Sequence, residues 1–200
     1  LDATTGNVNG SLTGPASVLS AITPNPNGGT KNQLTLTVND ENAISVDNAL
    51  LIAGATALSN VTFTNGITGI LANYMGDSTD GAPVTTIKNA DNDATLNITD
   101  DFLTSTDIAH LNTVFTNAGT MTIVATIIAI GAELIKIDNK STNSQLTITV
   151  NDQIDIDDAK TIMNKTSLTT VTFNAGISDV LGKYISGTVL SVNYKEIVTN

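Results

Sequence analysis

The stretch LTLTVND, from Leu34 to Asp40, returns as LTITVND from Leu146 to Asp152. In both copies apolar residues alternate with threonine, and this period of two, rich in β-branched side chains, predicts a β-strand with one buried face. A weaker copy, TLNITDD, stands between them at 95–101. The three copies indicate an internal repeat, and the repeat decides how the rest of the chain is interpreted.

A second landmark of the repeat is an aspartate that precedes an apolar run. Asp47, Asp107 and Asp157 follow one another at intervals of 60 and then 50 residues. We predict that each caps a short helix, because a carboxylate at that place accepts hydrogen bonds from the free amides of the first turn. A strand-like triplet begins fourteen residues after each aspartate; the triplets are Val61–Phe63, Met121–Ile123 and Val171–Phe173.

The repeat divides the chain into a partial N-terminal copy at 1–32 and three further copies at 33–93, 94–143 and 144–200, the last with a truncated following strand. We expect one continuous structural domain, because 200 residues with 40% apolar content can bury a core. Both chain ends fall inside the pattern, which suggests a segment of a longer array or a unit completed by its neighbours.

Each copy has the pattern strand, short helix, strand, short helix. In the first copy, the apolar face of the second helix is predicted to consist of Ile67, Ile70, Leu71 and Tyr74. A third strand is predicted at Val84–Ile87, with counterparts at 135–137 and 189–192. These patterns predict an α/β or mainly β fold, a repeat solenoid of short parallel strands alternating with short helices. The alternative is a compact mixed α/β domain formed by duplication.

The charge of the chain excludes several classes of partner. Nineteen acidic residues against eight basic ones give a net charge of −11, which repels nucleic acids and anionic membranes. The chain has no cysteine, so disulfides and thiolate metal sites are excluded. No apolar run approaches the roughly 20 residues that a transmembrane helix needs.

The sequence predicts that the protein is not an enzyme. Two acids could hydrolyse a glycoside, but the chain has no tryptophan to stack against a sugar ring and only eight cations to bind an anion. His110 is the one histidine, and we expect a structural role for it in the helix that follows Asp107. No catalytic residue and no required cofactor are therefore predicted.

Calcium is the one metal that the sequence suggests. Carboxylate oxygens are the hard ligands that Ca²⁺ prefers, and aspartates crowd together at two places. Neither cluster has the spacing of an EF-hand, and solvated acidic loops are the alternative interpretation. The predicted ligands are Asp152, Asp155, Asp157 and Asp158 in one cluster and Asp91 and Asp93 in the other, which Asp100 and Asp101 extend.

Short threonine-rich strands followed by D-x-A-x-x-(I/L) helices, as at Asp47–Leu51, Asp107–Leu111 and Asp157–Ile162, resemble the repeat regions of secreted bacterial surface proteins. These include S-layer proteins, giant repeat adhesins and RTX-related exoproteins. The nonapeptide G-G-x-G-x-D of the RTX proteins is absent, so the calcium ligands of that family have no counterpart here.

The resemblance and the repeat together imply a structural protein of the cell exterior. We expect a subunit or segment of a self-assembling surface layer, sheath or filament, whose partner is a second copy of itself, head to tail. The alternative is an adhesin-type module that binds a cell-surface glycan or a protein. Its binding surface would be outward threonine rows such as Thr35 with Thr37, or Thr147 with Thr149.

Overall fold

The computed structural model describes residues 9–22, 33–55, 61–77, 80–100, 102–138, 144–165, 168–179, 185–186 and 189–190. Short strands and helices follow one another along the chain. The strands are β1 (Asn9–Gly14), β2 (Gln33–Val38), β3 (Ile44–Ser45), β4 (Val61–Phe63), β5 (Ile67–Gly69), β6 (Thr95–Ile98), β7 (Thr122–Ala129), β8 (Gln145–Val150), β9 (Leu168–Phe173), β10 (Ile185–Ser186) and β11 (Val189–Leu190). The helices are α1 (Ala16–Leu19), α2 (Val46–Ala55), α3 (Leu71–Met75), α4 (Ala82–Ala90), α5 (Ser105–Ala118), α6 (Gly131–Leu134) and α7 (Ile156–Met163).

The strands form two parallel sheets. One has the order β1-β2-β4 and the other β3-β5-β6-β7-β8-β9, while β10 and β11 form a separate antiparallel pair. Within the two parallel sheets, paired residues of neighbouring strands lie 21 to 29 positions apart in the sequence. Parallel neighbours need a crossover connection, and short helices supply most of the crossovers. The predicted α/β class with parallel strands is confirmed, and the arrangement fits the compact mixed α/β alternative.

The repeated stretch forms strands, as its alternation predicts. In β2 the side chains of Leu34, Leu36 and Val38 are buried, whereas Thr35 is exposed and Thr37 is half-buried. β8 repeats the pattern with leucine, isoleucine and valine inside. Burying each such side chain fully contributes about 1.5–3 kcal/mol, so one face of each sheet is held against the core.

One hydrophobic core joins both sheets to the helices. Tyr74 of α3 is fully buried in it, and its hydroxyl lies 2.9 Å from the carbonyl oxygen of Ile67 and 3.1 Å from that of Asn97. These carbonyls belong to the neighbouring strands β5 and β6. Burial is the main cause that raises the pKa of Tyr74, and its hydroxyl therefore stays protonated as a donor.

The helices begin close to the predicted aspartates, but the N-caps are other residues. Thr104 caps α5: its Oγ1 accepts the N–H of Asp107 at 3.4 Å, and the Asp107 carboxylate accepts the N–H of Thr104 at 2.8 Å. Asp155 caps α7 through a 2.8 Å hydrogen bond. Asp47 and Asp157 lie within the first turn of α2 and α7. Negative charge is favourable there as well, because it faces the positive end of the helix dipole.

Two predicted elements differ in the structure. Ile67 belongs to strand β5, so the second helix of the first copy begins only at Leu71. The predicted strand Val84–Ile87 lies inside helix α4, whose buried residues are spaced by three positions and whose first turn contains Pro83. A short apolar run suits a buried helix as well as a strand, and proline at the start favours the helix.

The predicted counterparts of that strand in the second and third copies differ from each other in the structure. Residues 135–137 directly follow α6 and form no strand. Strand β11 covers Val189–Leu190 at the third position, while 191–192 lie outside the described residues. Across the described ranges, no helix combines the length and the apolar character that crossing a membrane requires.

Candidate functional site

Part of the predicted acidic cluster comes together at the start of α7. One carboxylate oxygen from each of Asp155, Asp157 and Asp179 lies within 4.8 Å of the others. Asp155 and Asp157 are exposed and Asp179 is half-buried. Asp179 was not among the predicted ligands, because it follows the next strand of the sheet and no spacing along the chain links it to Asp155.

The other predicted calcium ligands lie outside that group. Asp152 precedes it on the loop after β8, and its Oδ1 accepts the N–H of Gly131 at 2.6 Å. The backbone N–H of Asp158 donates to Asp155. Asp91 and Asp93 follow α4, Asp100 follows β6, and Asp101 lies outside the described residues.

Calcium binding stays a prediction, and the melting temperature tests it. A rise in millimolar Ca²⁺ that EDTA reverses would support it, since a ligand that binds the folded state stabilises that state. If the melting temperature is the same with Ca²⁺ and with EDTA, the aspartates are solvated surface residues that bind no calcium.

Several aspartates after strands share one structural role. Each carboxylate accepts a hydrogen bond from the first backbone N–H of the helix that follows the neighbouring strand. We call these residues the cross-strand caps. They are Asp40, bonded to Ala16 at 2.7 Å; Asp100, to Leu71 at 2.5 Å; Asp152, to Gly131 at 2.6 Å; and Asp179, to Ile156 at 3.3 Å.

The cross-strand caps explain the aspartate of the repeated stretch. The first N–H groups of a helix have no partner inside the helix, and the helix dipole favours a negative charge beside them. Asp40 and Asp152, the last residues of LTLTVND and LTITVND, satisfy such groups 24 and 21 residues earlier in the chain. The aspartate that ends the repeated stretch therefore has a structural role, which is to cap a helix of the preceding crossover.

Asp91 is the one buried carboxylate of the described residues, with 5% of its surface exposed. Its Oδ2 accepts the N–H of Phe63 at 2.7 Å, and its Oδ1 lies 3.4 Å from the N–H of Asp93. Burial is the largest cause that raises the pKa of Asp91, and a hydrogen bond with the Asp93 side chain is the second. The hydrogen bond from the Phe63 N–H opposes them, and the resulting pKa is about 6.

His110 is half-buried on α5. Hydrogen bonds from the Thr104 hydroxyl and N–H are the main causes that lower the pKa of Asp107. The electrostatic effect of His110 also lowers this pKa, but it is the smallest cause. The Asp107 carboxylate therefore serves chiefly as the partner of Thr104, the N-cap of α5.

The outward faces of the sheets carry threonine in register. Thr13, Thr37 and Thr62 are paired across β1, β2 and β4, and Thr149 is paired with Thr172 across β8 and β9. Neighbours in such a row are about 4.8 Å apart across the strands. None of the strands in the described ranges contains a charged residue, although the chain carries 27. The strand faces therefore offer hydroxyl and methyl groups without charge.

Apolar residues lose part of their cover at β1 and β9, two of the four edge strands of the parallel sheets. Leu12 of β1 is 40% exposed, whereas its register partner Leu36 is fully buried. At the far side Phe173 of β9 is half-buried, while its partner Val150 on β8 is fully buried. Inward side chains of β1 and β9 are thus only partly enclosed, whereas those of the edge strands β3 and β4 are buried.

Comparison of the chain with models of protein families, with curated proteins and with solved structures finds no match.

Proposed function

We propose that this protein is a structural component of the cell exterior, a subunit or segment of a surface layer, sheath or filament that assembles with copies of itself. In this proposal the parallel strands, each with the helix that follows it, are successive coils of a solenoid. The observation that carries the proposal is the partial exposure of Leu12 and Phe173, whose register partners are buried.

Assembly head to tail would cover both positions. A second copy that adds its outer strand beside β1 or β9 extends a parallel sheet and buries the apolar side chain behind it. Natural proteins cover or pair such strand edges, because open edges are templates for association. The absence of charged residues from the strands that the structure describes removes one electrostatic obstacle between copies that each carry a charge of −11.

Light scattering across a range of concentrations tests the assembly. We expect linear particles that lengthen with concentration, visible as fibres, tubes or sheets by electron microscopy. Leu12→Lys should abolish growth, because it places a charge on the proposed contact. Leu51→Lys is the matched control: Leu51 is 58% exposed on α2 and belongs to neither β1 nor β9, so its variant should assemble normally. A wild-type monomer at high concentration would contradict the proposal.

A second candidate is a binding module for a glycan or protein ligand, and the threonine rows favour it. Hydroxyl groups on an uncharged sheet can exchange hydrogen bonds with the hydroxyls of a neutral glycan. Pull-down with insoluble neutral polysaccharides tests it. Thr37→Lys and Thr149→Lys should weaken capture, whereas Thr116→Lys, an exposed threonine on α5, should not. Equal capture by all variants would exclude the strand faces as the contact.

A further inference from the structure

We propose that the surface formed by β1 and α1 receives strand β9 of a second copy, so that copies join with one polarity and in one register. We call this surface, residues 9–19, the receiving face. The contact rests on the proposed self-assembly and specifies which surfaces of two copies meet. It therefore also specifies which residues lie side by side across them.

The internal repeat shows what belongs beside the receiving face. Leu36 and Ile148 occupy the same position of the repeated stretch, and their partners on the preceding strands are Leu12 and Ile127. Ile127 is fully buried, whereas Leu12 is 40% exposed. The neighbours differ: β7 also pairs with β6, and the Leu103 N–H donates to the carbonyl of the residue after Ile127. Among the described strands, β1 pairs with β2 alone.

The helix of the receiving face is exposed in the same way. α1 and α6 correspond to each other, because the equivalent aspartates Asp40 and Asp152 cap them. α6 packs against both α5 and α7, whereas α1 packs chiefly against α2 and β2 among the described elements. Val18 of α1 is 61% exposed. The second repeat thus covers with its own chain the side that stays open at β1 and α1.

The receiving face carries no charge. Residues 3 to 30 include no aspartate, glutamate, lysine, arginine or histidine, although the chain has 27 acidic and basic residues. Copies that each carry a charge of −11 repel one another, and the repulsion is weakest where neither surface is charged. Strand β9 is uncharged too, and its inward side chains Val171 and Phe173 are half-buried. A second copy is therefore the occupant that matches the receiving face.

The other two edge strands offer no comparable surface. β3 has two residues, and its Ile44 is already buried. In β4 both Val61 and Phe63 are buried, and the Phe63 N–H donates to the Asp91 carboxylate at 2.7 Å. The contact then joins two different surfaces, one at β1 and one at β9. Each copy has one of each, and such contacts build open chains when the rotation between copies does not close a ring.

The alternation of side chains sets the register of the contact. In β1 and β9 threonines face outward and apolar residues inward, and a slip by one residue would exchange these faces. Continuing the outward threonine row from one copy to the next places Thr172 beside Thr13 and Phe173 beside Gly14. Beyond its chain neighbours, a Cβ at Gly14 would meet only the side chain of Leu19 within 4 Å. This position therefore has room for the ring of Phe173.

Disulfide cross-linking tests the contact, because the chain has no cysteine of its own. The double variant Thr13→Cys/Thr172→Cys carries one thiol on each surface, at exposed positions that belong to different sheets of one copy. Paired strands are about 4.8 Å apart, which is within the Cα separation that a disulfide spans. After mild oxidation we expect a ladder of linked copies on a denaturing gel, and a reductant should collapse it to the single chain.

Thr62→Cys/Thr172→Cys is the matched control, because Thr62 is an exposed threonine on β4. It should give no ladder, and Thr13→Cys/Thr170→Cys, displaced by two residues, should link less than the first pair. A control that links as readily as the first pair would overturn the proposed contact. So would a first pair that stays unlinked while light scattering shows assembly, in which case the assembly itself stands. A wild type that remains monomeric would overturn both.

Val18→Lys provides a second measurement that needs no cross-link. The lysine would bury an unpaired charge in the contact, so the concentration at which particles appear in light scattering should rise by about tenfold or more. Urea denaturation should give the wild-type free energy of unfolding, because Val18 is exposed in the single copy. A folded variant that assembles at the wild-type concentration would overturn the receiving face.

Discussion

At the scale of single residues, one residue type has different roles in this chain. Asp40 and Asp152 cap helices across the sheet, Asp155 caps its own helix, and the buried Asp91 accepts the N–H of Phe63 at the end of β4. The difference lies in which N–H groups each carboxylate meets and how much water reaches it. An acidic composition alone therefore says little about metal binding.

The close contact at Gly131 gives a prediction at this scale. A Cβ at this position would collide with Cγ2 of Ile154, a buried side chain. We expect Gly131→Ala to lower the free energy of unfolding by about 1–3 kcal/mol, because the packing must shift. Urea denaturation measures the change.

Gly54 is the matched control. It lies inside α2, and a Cβ there meets nothing within 4 Å. Gly54→Ala should stabilise the protein by about 0.5–1 kcal/mol, because alanine is the better helix former. Equal effects of the two substitutions would show that the Ile154 contact is unimportant.

At the scale of elements, the cross-strand caps tie the starts of α1, α3, α6 and α7 to the strand that lies next in the sheet. α6 has only four residues and is too short to be stable alone, so its geometry depends on what surrounds it. The carboxylate of Asp152 holds its first N–H, and the buried Leu134 anchors its other end. Short helices in this protein are therefore held chiefly by tertiary contacts.

Removal of one cross-strand cap gives a prediction at the element scale. Asp152→Ala should lower the free energy of unfolding by about 1–2 kcal/mol, because the Gly131 N–H loses its acceptor. It should also speed hydrogen exchange at that amide. Asp152→Asn keeps an acceptor oxygen and should retain most of the stability. If asparagine is as damaging as alanine, the charge matters and the hydrogen bond does not.

At the scale of the whole molecule, one core runs behind both parallel sheets. Strand partners are 21 to 29 residues apart, so each contact depends on a crossover being in place. The two sheets share a covering helix, since α2 packs against β4 of the first sheet and against β3 and β5 of the second. We infer that the described part of the chain unfolds as a unit.

Native-state hydrogen exchange tests this cooperativity. Amides of β2, in the first sheet, and of β8, in the second, should exchange with the same free energy of opening, equal to that of global unfolding. Two separate values, one for each sheet, would mean that the sheets unfold independently.

The sequence by itself determined the strands of the repeated stretch and their threonine faces, because alternation of side chains is a local property that survives in any fold with one buried face. It predicted parallel strands in an α/β or mainly β fold, of which the structure shows the α/β class. It did not distinguish helix α4 from a strand at Val84–Ile87, since both bury a short apolar run. Only the tertiary structure decided the partners of the aspartates. Asp179 reaches Ile156 and Asp91 reaches Phe63 across 23 and 28 residues. These separations along the sequence depend on the lengths of the crossovers, which differ from one strand pair to the next. The burial of a carboxylate depends on all the residues that pack around it.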